Sequence, residues 1–161
     1  MAKTVIGVMG PGSSASASDL KNAYEMGKLI AEKGHVTLTG GRPSGVMEAA
    51  LKGAKDAGGQ TLAILPSGNK SDASDYADIV VVTAMASARN NINVLSSDVV
   101  VACGIEAGTL SEIALALKAD KTVILISQNE TGNAFLEKLG KGKLYLANEP
   151  RAAMELVERH L

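Results

Sequence analysis

Seven short apolar runs, separated by segments of helical periodicity, constrain this chain more than any other feature. Thr4–Met9, Val36–Thr39, Thr61–Leu65, Ile79–Val82, Asp98–Cys103, Thr122–Ile126 and Lys143–Leu146 are mostly continuous apolar stretches, the pattern of strands buried on both faces of a parallel sheet. Between them, Asp19–Lys33, Ser44–Ala57, Ala86–Leu95, Thr109–Ala119, Thr131–Leu139 and Pro150–His160 repeat apolar residues at helical spacing. Strand and helix in alternation predict a three-layer α/β sandwich around a doubly wound, mostly parallel sheet. At 161 residues and 46% apolar content, the chain suffices for one core and is short for two, so a single domain over 1–161 is expected.

Composition narrows the partners. The formal net charge is -1 and aromatic residues make up 2% of the chain, which leaves neither the basic surface nor the stacking platforms that nucleic-acid binding uses. No apolar run approaches the roughly 20 residues of a membrane span. The first residues lead directly into TVIGVM without a signal-peptide layout, which predicts a cytoplasmic protein. Cys103 is the single cysteine, so neither an internal disulfide nor a cysteine metal cluster can be built, and its place at the end of an apolar strand reads as core. His35 and His160 stand in no metal-ligand spacing, and no metal site is expected.

In a doubly wound sheet, ligands collect at the carboxyl ends of the strands, where strand order reverses. Three loops fall there. Gly10–Ser18, GPGSSASAS, offers Gly10 and Gly12 for tight turning and Ser13 and Ser14 as donors to an anion, with Ser18 as the expected helix cap. Thr39–Ala50, TGGRPSGVMEAA, carries Gly40 and Gly41 for close backbone approach, Arg42 as a planar cation, and Pro43 and Ser44 at a helix start. The third loop follows Asp98–Cys103 and holds Gly104, Glu106, Gly108 and Thr109 ahead of Glu112. A glycine-bearing turn from strand to helix directs unpaired N–H groups at the positive end of the helix dipole, where phosphate or another anion is stabilised. Arg89, in the nearly uncharged stretch SARNNIN, lacks a carboxylate partner one helical turn away and is read as a ligand contact. Asn90, Asn91 and Asn93 are read as ligand-facing or as backbone-binding.

Taken jointly, IGVMGPG (Ile6–Gly12), LTGGRPSGVMEAALKGAKDAGG (Leu38–Gly59), SARNNINVLSSDVVVA (Ser87–Ala102) and GTLSEIALALKA (Gly108–Ala119) resemble the Rossmann-like superfamily of LOG-type phosphoribohydrolases, once labelled lysine decarboxylases. The resemblance covers most of the chain and is closest to the branch of molybdenum cofactor carrier proteins. It implies non-catalytic binding, protection and storage or transfer of molybdenum cofactor, or of a related anionic small molecule. Cofactor-synthesis enzymes and molybdoenzymes are the partners implied, and the assembly implied is a homodimer or homotetramer. The alternatives are a LOG-type nucleoside 5′-monophosphate phosphoribohydrolase, in which Arg89 and Glu112 would be catalytic, and a nucleotide-sensing domain.

The departures from the hydrolase pattern carry physical meaning. The hydrolases resemble one another in Pro-Gly-Gly-x-Gly-Thr-x-x-Glu and in an arginine followed by lysine. This chain keeps Gly108, Thr109, Glu112 and Arg89, but has Gly104-Ile105-Glu106 for Pro-Gly-Gly, Asn90 for the lysine, and Arg42 for the third glycine of an earlier Gly-Gly-Gly-x-x-Gly motif. Glu106 places a carboxylate where a backbone would approach phosphate, which is unfavourable unless it points away or pairs with a cation. Either Glu106 and Arg42 pair, or the pocket has been reshaped for a different anion. Glu112 is read as a general base or as a dipole-complementing first-turn residue. The polar segment Ser67–Ala77 is read as a lid or a disordered connector, and the alanine-rich helices as core or as subunit contacts.

Overall fold

Strand β1 (Val5–Met9) lies in the middle of the sheet, and the chain winds outward from it twice. The computed structural model describes residues 1–161. After β1 come α1 (Ala17–Glu32), β2 (Val36–Thr39), α2 (Gly45–Asp56), β3 (Gln60–Leu65), β4 (Ile79–Val82) and α3 (Arg89–Leu95). They are followed by β5 (Val99–Cys103), α4 (Ala107–Lys118), β6 (Val123–Ile126), α5 (Glu130–Gly140), β7 (Leu144–Ala147) and α6 (Pro150–Arg159). The strand order is β4-β3-β2-β1-β5-β6-β7, and every neighbouring pair is parallel. The expected doubly wound architecture is thus observed, with a sheet that is wholly parallel.

Continuous apolar runs are required because alternate side chains enter two different cores. Ile6, Val8, Val99, Val101, Cys103, Ile124 and Ile126 pack against α1, α2 and α6. Val100, Ala102, Val123 and Leu125 pack on the other face with Val94 of α3, Ile113 and Ala116 of α4, and Leu136 of α5. Cys103 is fully buried and free, and burial pushes its thiol pKa up to about 12, as a packing residue requires. Helices α1 and α2 meet so closely that a methyl group at Gly53 would overlap the Tyr24 carbonyl.

Local chemistry shifts three of the expected boundaries. The cap of α1 is Ser16 rather than Ser18: its hydroxyl accepts from the Asp19 amide at 3.1 Å and the Asp19 carboxylate accepts from the Ser16 amide at 2.9 Å. Only Ser16 stands three residues before a carboxylate able to close this reciprocal pair. Helix α4 begins at Ala107, so Thr109 lies within its first turn. Ala86–Ala88 forms a separate 3-10 turn before α3.

Segment Ser67–Ala77 is an ordered connector rather than a disordered one. It contains a 3-10 turn at Lys70–Asp72 capped by Asn69, buries Ser74, and is tied to the second glycine loop by a bond from the Ser74 amide to the Gly41 carbonyl at 2.8 Å. It replaces a crossover helix between β3 and β4. The edge strand is therefore uncovered, and Ile79, Val81 and Val82 remain exposed, unlike the residues of the central strands β1, β2, β5 and β6. No helix is long and apolar enough to cross a membrane.

Candidate anion-binding site

Strand order reverses at β1. The chain leaves β1 toward β2 and leaves β5 toward β6, on opposite sides, which opens a crevice above the carboxyl ends of these strands. A cavity of about 330 Å³ lies there. It is lined by Val8, Met9 and Gly10 from β1 and its loop, Gly40, Arg42 and Met47 around the β2 loop, and Pro66 after β3. The remaining walls are Ala86, Ser87, Arg89 and Asn90 before and within α3, and Glu106, Gly108, Thr109 and Glu112 at the start of α4.

Arg89 is the dominant charge. Its side chain is 6% exposed, its Nε has no hydrogen-bond partner, and neither it nor Arg42 takes part in any of the chain's salt bridges. Burial lowers its pKa; Glu112 opposes that shift and Arg42 adds to it. Two guanidinium groups thus face one cavity without a paired carboxylate, an arrangement stabilised by an anionic guest. The Thr109 hydroxyl, 1% exposed, is also without a partner.

Gly40 makes room for that arginine. A Cβ at Gly40 would overlap the Arg89 guanidinium and press on the Met47 sulfur. Gly40→Ala is therefore expected to displace Arg89 and weaken oxyanion binding about tenfold, the loss of one charge-assisted hydrogen bond. Calorimetric titration with sulfate measures this, and an unchanged dissociation constant would mean that Arg89 does not need its present position.

Glu112 faces the same space from α4. It is 7% exposed and accepts a bond from Asn93 Nδ2 at 2.9 Å. Burial raises its pKa to about 7, against the lowering influence of Asn93 and Arg89, while Glu106 raises it further. Asn93 is thus a supporting residue beneath Glu112, and its own Oδ1 stays unpartnered.

Glu106 does not pair with Arg42. Its carboxylate accepts from the Ser14 hydroxyl at 2.6 Å and from the Gly12 amide at 3.3 Å, across to the β1 loop. Consequently Gly12, Ser13 and Ser14 do not line the cavity, although Gly10 does. Gly10 is demanded by packing, since a Cβ there would strike Val46 and the Cys103 carbonyl. Gly41 also lies outside the lining. It has a φ of +79°, packs over Ala63 and Leu65, and donates its amide to Thr39 Oγ1 at 3.0 Å. Ser44 is the N-cap residue of α2, with no side-chain capping bond. Asn90 reaches the cavity but donates to Ser111 Oγ at 2.9 Å; Asn91 is not among the lining residues.

Sequence reasoning missed Val8, Met9, Met47, Pro66, Ala86 and Ser87 as walls. Ala84 and Ala86 hold φ values of +53° and +49°, a left-handed conformation unusual for alanine. Together they carry Ala86 and Ser87 to the cavity, and no residue type in the sequence betrays such a turn.

Fold and site together define a Rossmann-like protein with a polar ligand cleft at the switch point of a parallel sheet. The chain belongs to the SLOG cluster4 family, whose model matches residues 3–154. It is similar to the molybdenum cofactor binding protein of the phototrophic bacterium Rippkaea orientalis, with 53% identity and a TM-score of 0.97 over 99% of this chain and 98% of that one. The molybdenum cofactor carrier protein of Chlamydomonas reinhardtii is similar at 45% identity and a TM-score of 0.92, again over 99% and 98% of the two chains. An uncharacterised protein of Archaeoglobus fulgidus is 51% identical over 118 residues, 73% of this chain and 76% of its own. The resemblance to the carrier branch of the LOG-like superfamily is thereby upheld.

Proposed function

We propose that this chain binds molybdenum cofactor reversibly and without turnover, protecting it and passing it from cofactor-synthesis enzymes to molybdoenzymes. The observation that carries the reading is the pair of unpaired arginines, Arg42 and Arg89, in one cavity with the unsatisfied Arg89 Nε and Thr109 hydroxyl. Buried polar atoms without partners are unfavourable, and a guest that supplies acceptors relieves them. Molybdenum cofactor, a pyranopterin with a terminal phosphate and an oxo-metal group, is rich in such acceptors. Arg42, Arg89, Gly40, Gly108 and Thr109 would hold it, Gly108 and Thr109 through the first amides of α4, which have no acceptor within the helix. The likeness to two proteins named for this cofactor supports the choice. Self-association as a homodimer or homotetramer belongs to the reading and is supported by the uncovered apolar edge at Ile79, Val81 and Val82 beside exposed Met85.

Glu112 favours a second reading, because a buried carboxyl with a pKa of about 7 suits proton transfer. One experiment separates the two. Anaerobic loading with isolated cofactor, followed by oxidation and fluorescence of the released pterin, is expected to show retention near one per chain. Arg42→Ala is expected to weaken it about tenfold, the loss of one charge-assisted bond. Incubation with adenosine 5′-monophosphate should release no adenine. Failure to retain cofactor, with adenine released by wild type and not by Glu112→Ala, would replace the carrier by a hydrolase.

A further inference from the structure

The β1 loop of this protein has the makings of an oxyanion turn, and the chain itself fills it. The Gly12 amide and the Ser14 hydroxyl both donate to the Glu106 carboxylate, Gly12 to one oxygen at 3.3 Å and Ser14 to the other at 2.6 Å. The position in front of these two donors is occupied by the chain's own carboxylate. Glu106 also lines the cavity that holds Arg89 and Thr109, both more than nine-tenths buried and each with a buried polar atom that has no partner.

We infer that Glu106 is a specificity-determining residue: by seating its own carboxylate on Gly12 and Ser14, it bars phosphate from the β1 loop and confines the guest's negative charge to the Arg42–Arg89 side. An incoming phosphate would have to displace a charge-assisted bond and then lie against the displaced carboxylate, two penalties of the same sign. The cavity therefore accepts ligands with one anionic pole, at the arginine end, and rejects those that need a second phosphate-binding position at the β1 loop. The inference rests on reading the cavity as an anion site.

Inorganic phosphate is the probe, followed by calorimetry and phosphorus NMR on the full chain. Wild type is expected to take up one phosphate and Glu106→Ala two, the second at least tenfold tighter than any second binding to wild type. Glu106→Ala combined with Ser14→Ala should return to one, because the donor exposed by the first change is removed by the second. Glu106→Gln keeps the side chain's shape and one acceptor, so it guards against a folding defect, and is expected to admit the second phosphate with intermediate affinity. A single phosphate of unchanged affinity in both Glu106→Ala and Glu106→Gln would overturn the assignment, as would a second phosphate indifferent to Ser14. Absence of any phosphate from wild type, with no change in Arg42→Ala, would instead defeat the reading of the cavity itself.

Discussion

Arg89→Met is expected to make the empty protein more stable while removing most of its affinity for an oxyanion. A buried guanidinium has given up hydration worth several kcal/mol, and only paired charges or hydrogen bonds restore it. Here Nε has no partner and no salt bridge is formed, and burial is the leading cause of a lowered pKa. Methionine has a similar length and suits apolar surroundings, and replacing a buried ionic group in this way yields about 1–4 kcal/mol in favourable cases. For a chain of this size each kcal/mol moves the midpoint by about 2–4 °C, so differential scanning calorimetry should find an upward shift of several degrees. The same change removes charged donors worth about 1.5–3 kcal/mol to a bound anion, a 10- to 100-fold weaker dissociation constant. Stability and affinity moving in opposite directions is the signature of a residue kept for its guest. If the variant melts lower than wild type, Arg89 is a structural strut and the cavity loses its main cation.

Much of this arrangement is legible in the chain because the physics is local. Val99–Cys103 reads as a central strand since every second residue must enter a different core, and both cores are apolar. Gly40, Arg42, Arg89, Gly108, Thr109 and Glu112 converge because the switch-point rule brings the ends of β1, β2 and β5 together. What escapes the sequence depends on contacts between distant segments. Whether Glu106 meets Arg42 or Ser14 is decided by how α4 sits against the β1 loop, and both partners are chemically sensible. Asn93 looks like its neighbours Asn90 and Asn91 until helical phase turns it alone onto Glu112. The bare edge at β4 follows from a connector that never forms a helix, although its composition is also that of a mobile loop.

Glu112 links the site to pH. Its pKa rises on folding from the ordinary 4.5 to about 7, so between these values the folded chain keeps a proton that the unfolded chain has released. Raising the pH across this window therefore favours unfolding. Stability is greatest near and below pH 4.5 as far as this group is concerned, falls through pH 7, and then levels, for a total loss of about 3 kcal/mol at 1.36 kcal/mol per pH unit. Asp56 and Asp78 act in the other direction. Bonds from Lys52 and Tyr24 lower Asp56, while at Asp78 burial raises the pKa but is outweighed by Lys55 and Thr61. Their stabilisation is lost as pH falls below the ordinary carboxylate value, outside the window of Glu112.

Glu112→Gln keeps the bond from Asn93 and cannot ionise, so its melting temperature should be flatter between pH 4.5 and 7 and higher than wild type at pH 8. Binding must follow the same proton, because an ionised Glu112 partly neutralises Arg89 and repels the guest. Affinity for sulfate, whose charge does not change across this range, is expected to fall in wild type between pH 6 and 8 and to stay level in Glu112→Gln. Parallel profiles for the two proteins would show that the Glu112 carboxyl does not titrate in this range and that the pH dependence of binding does not run through it.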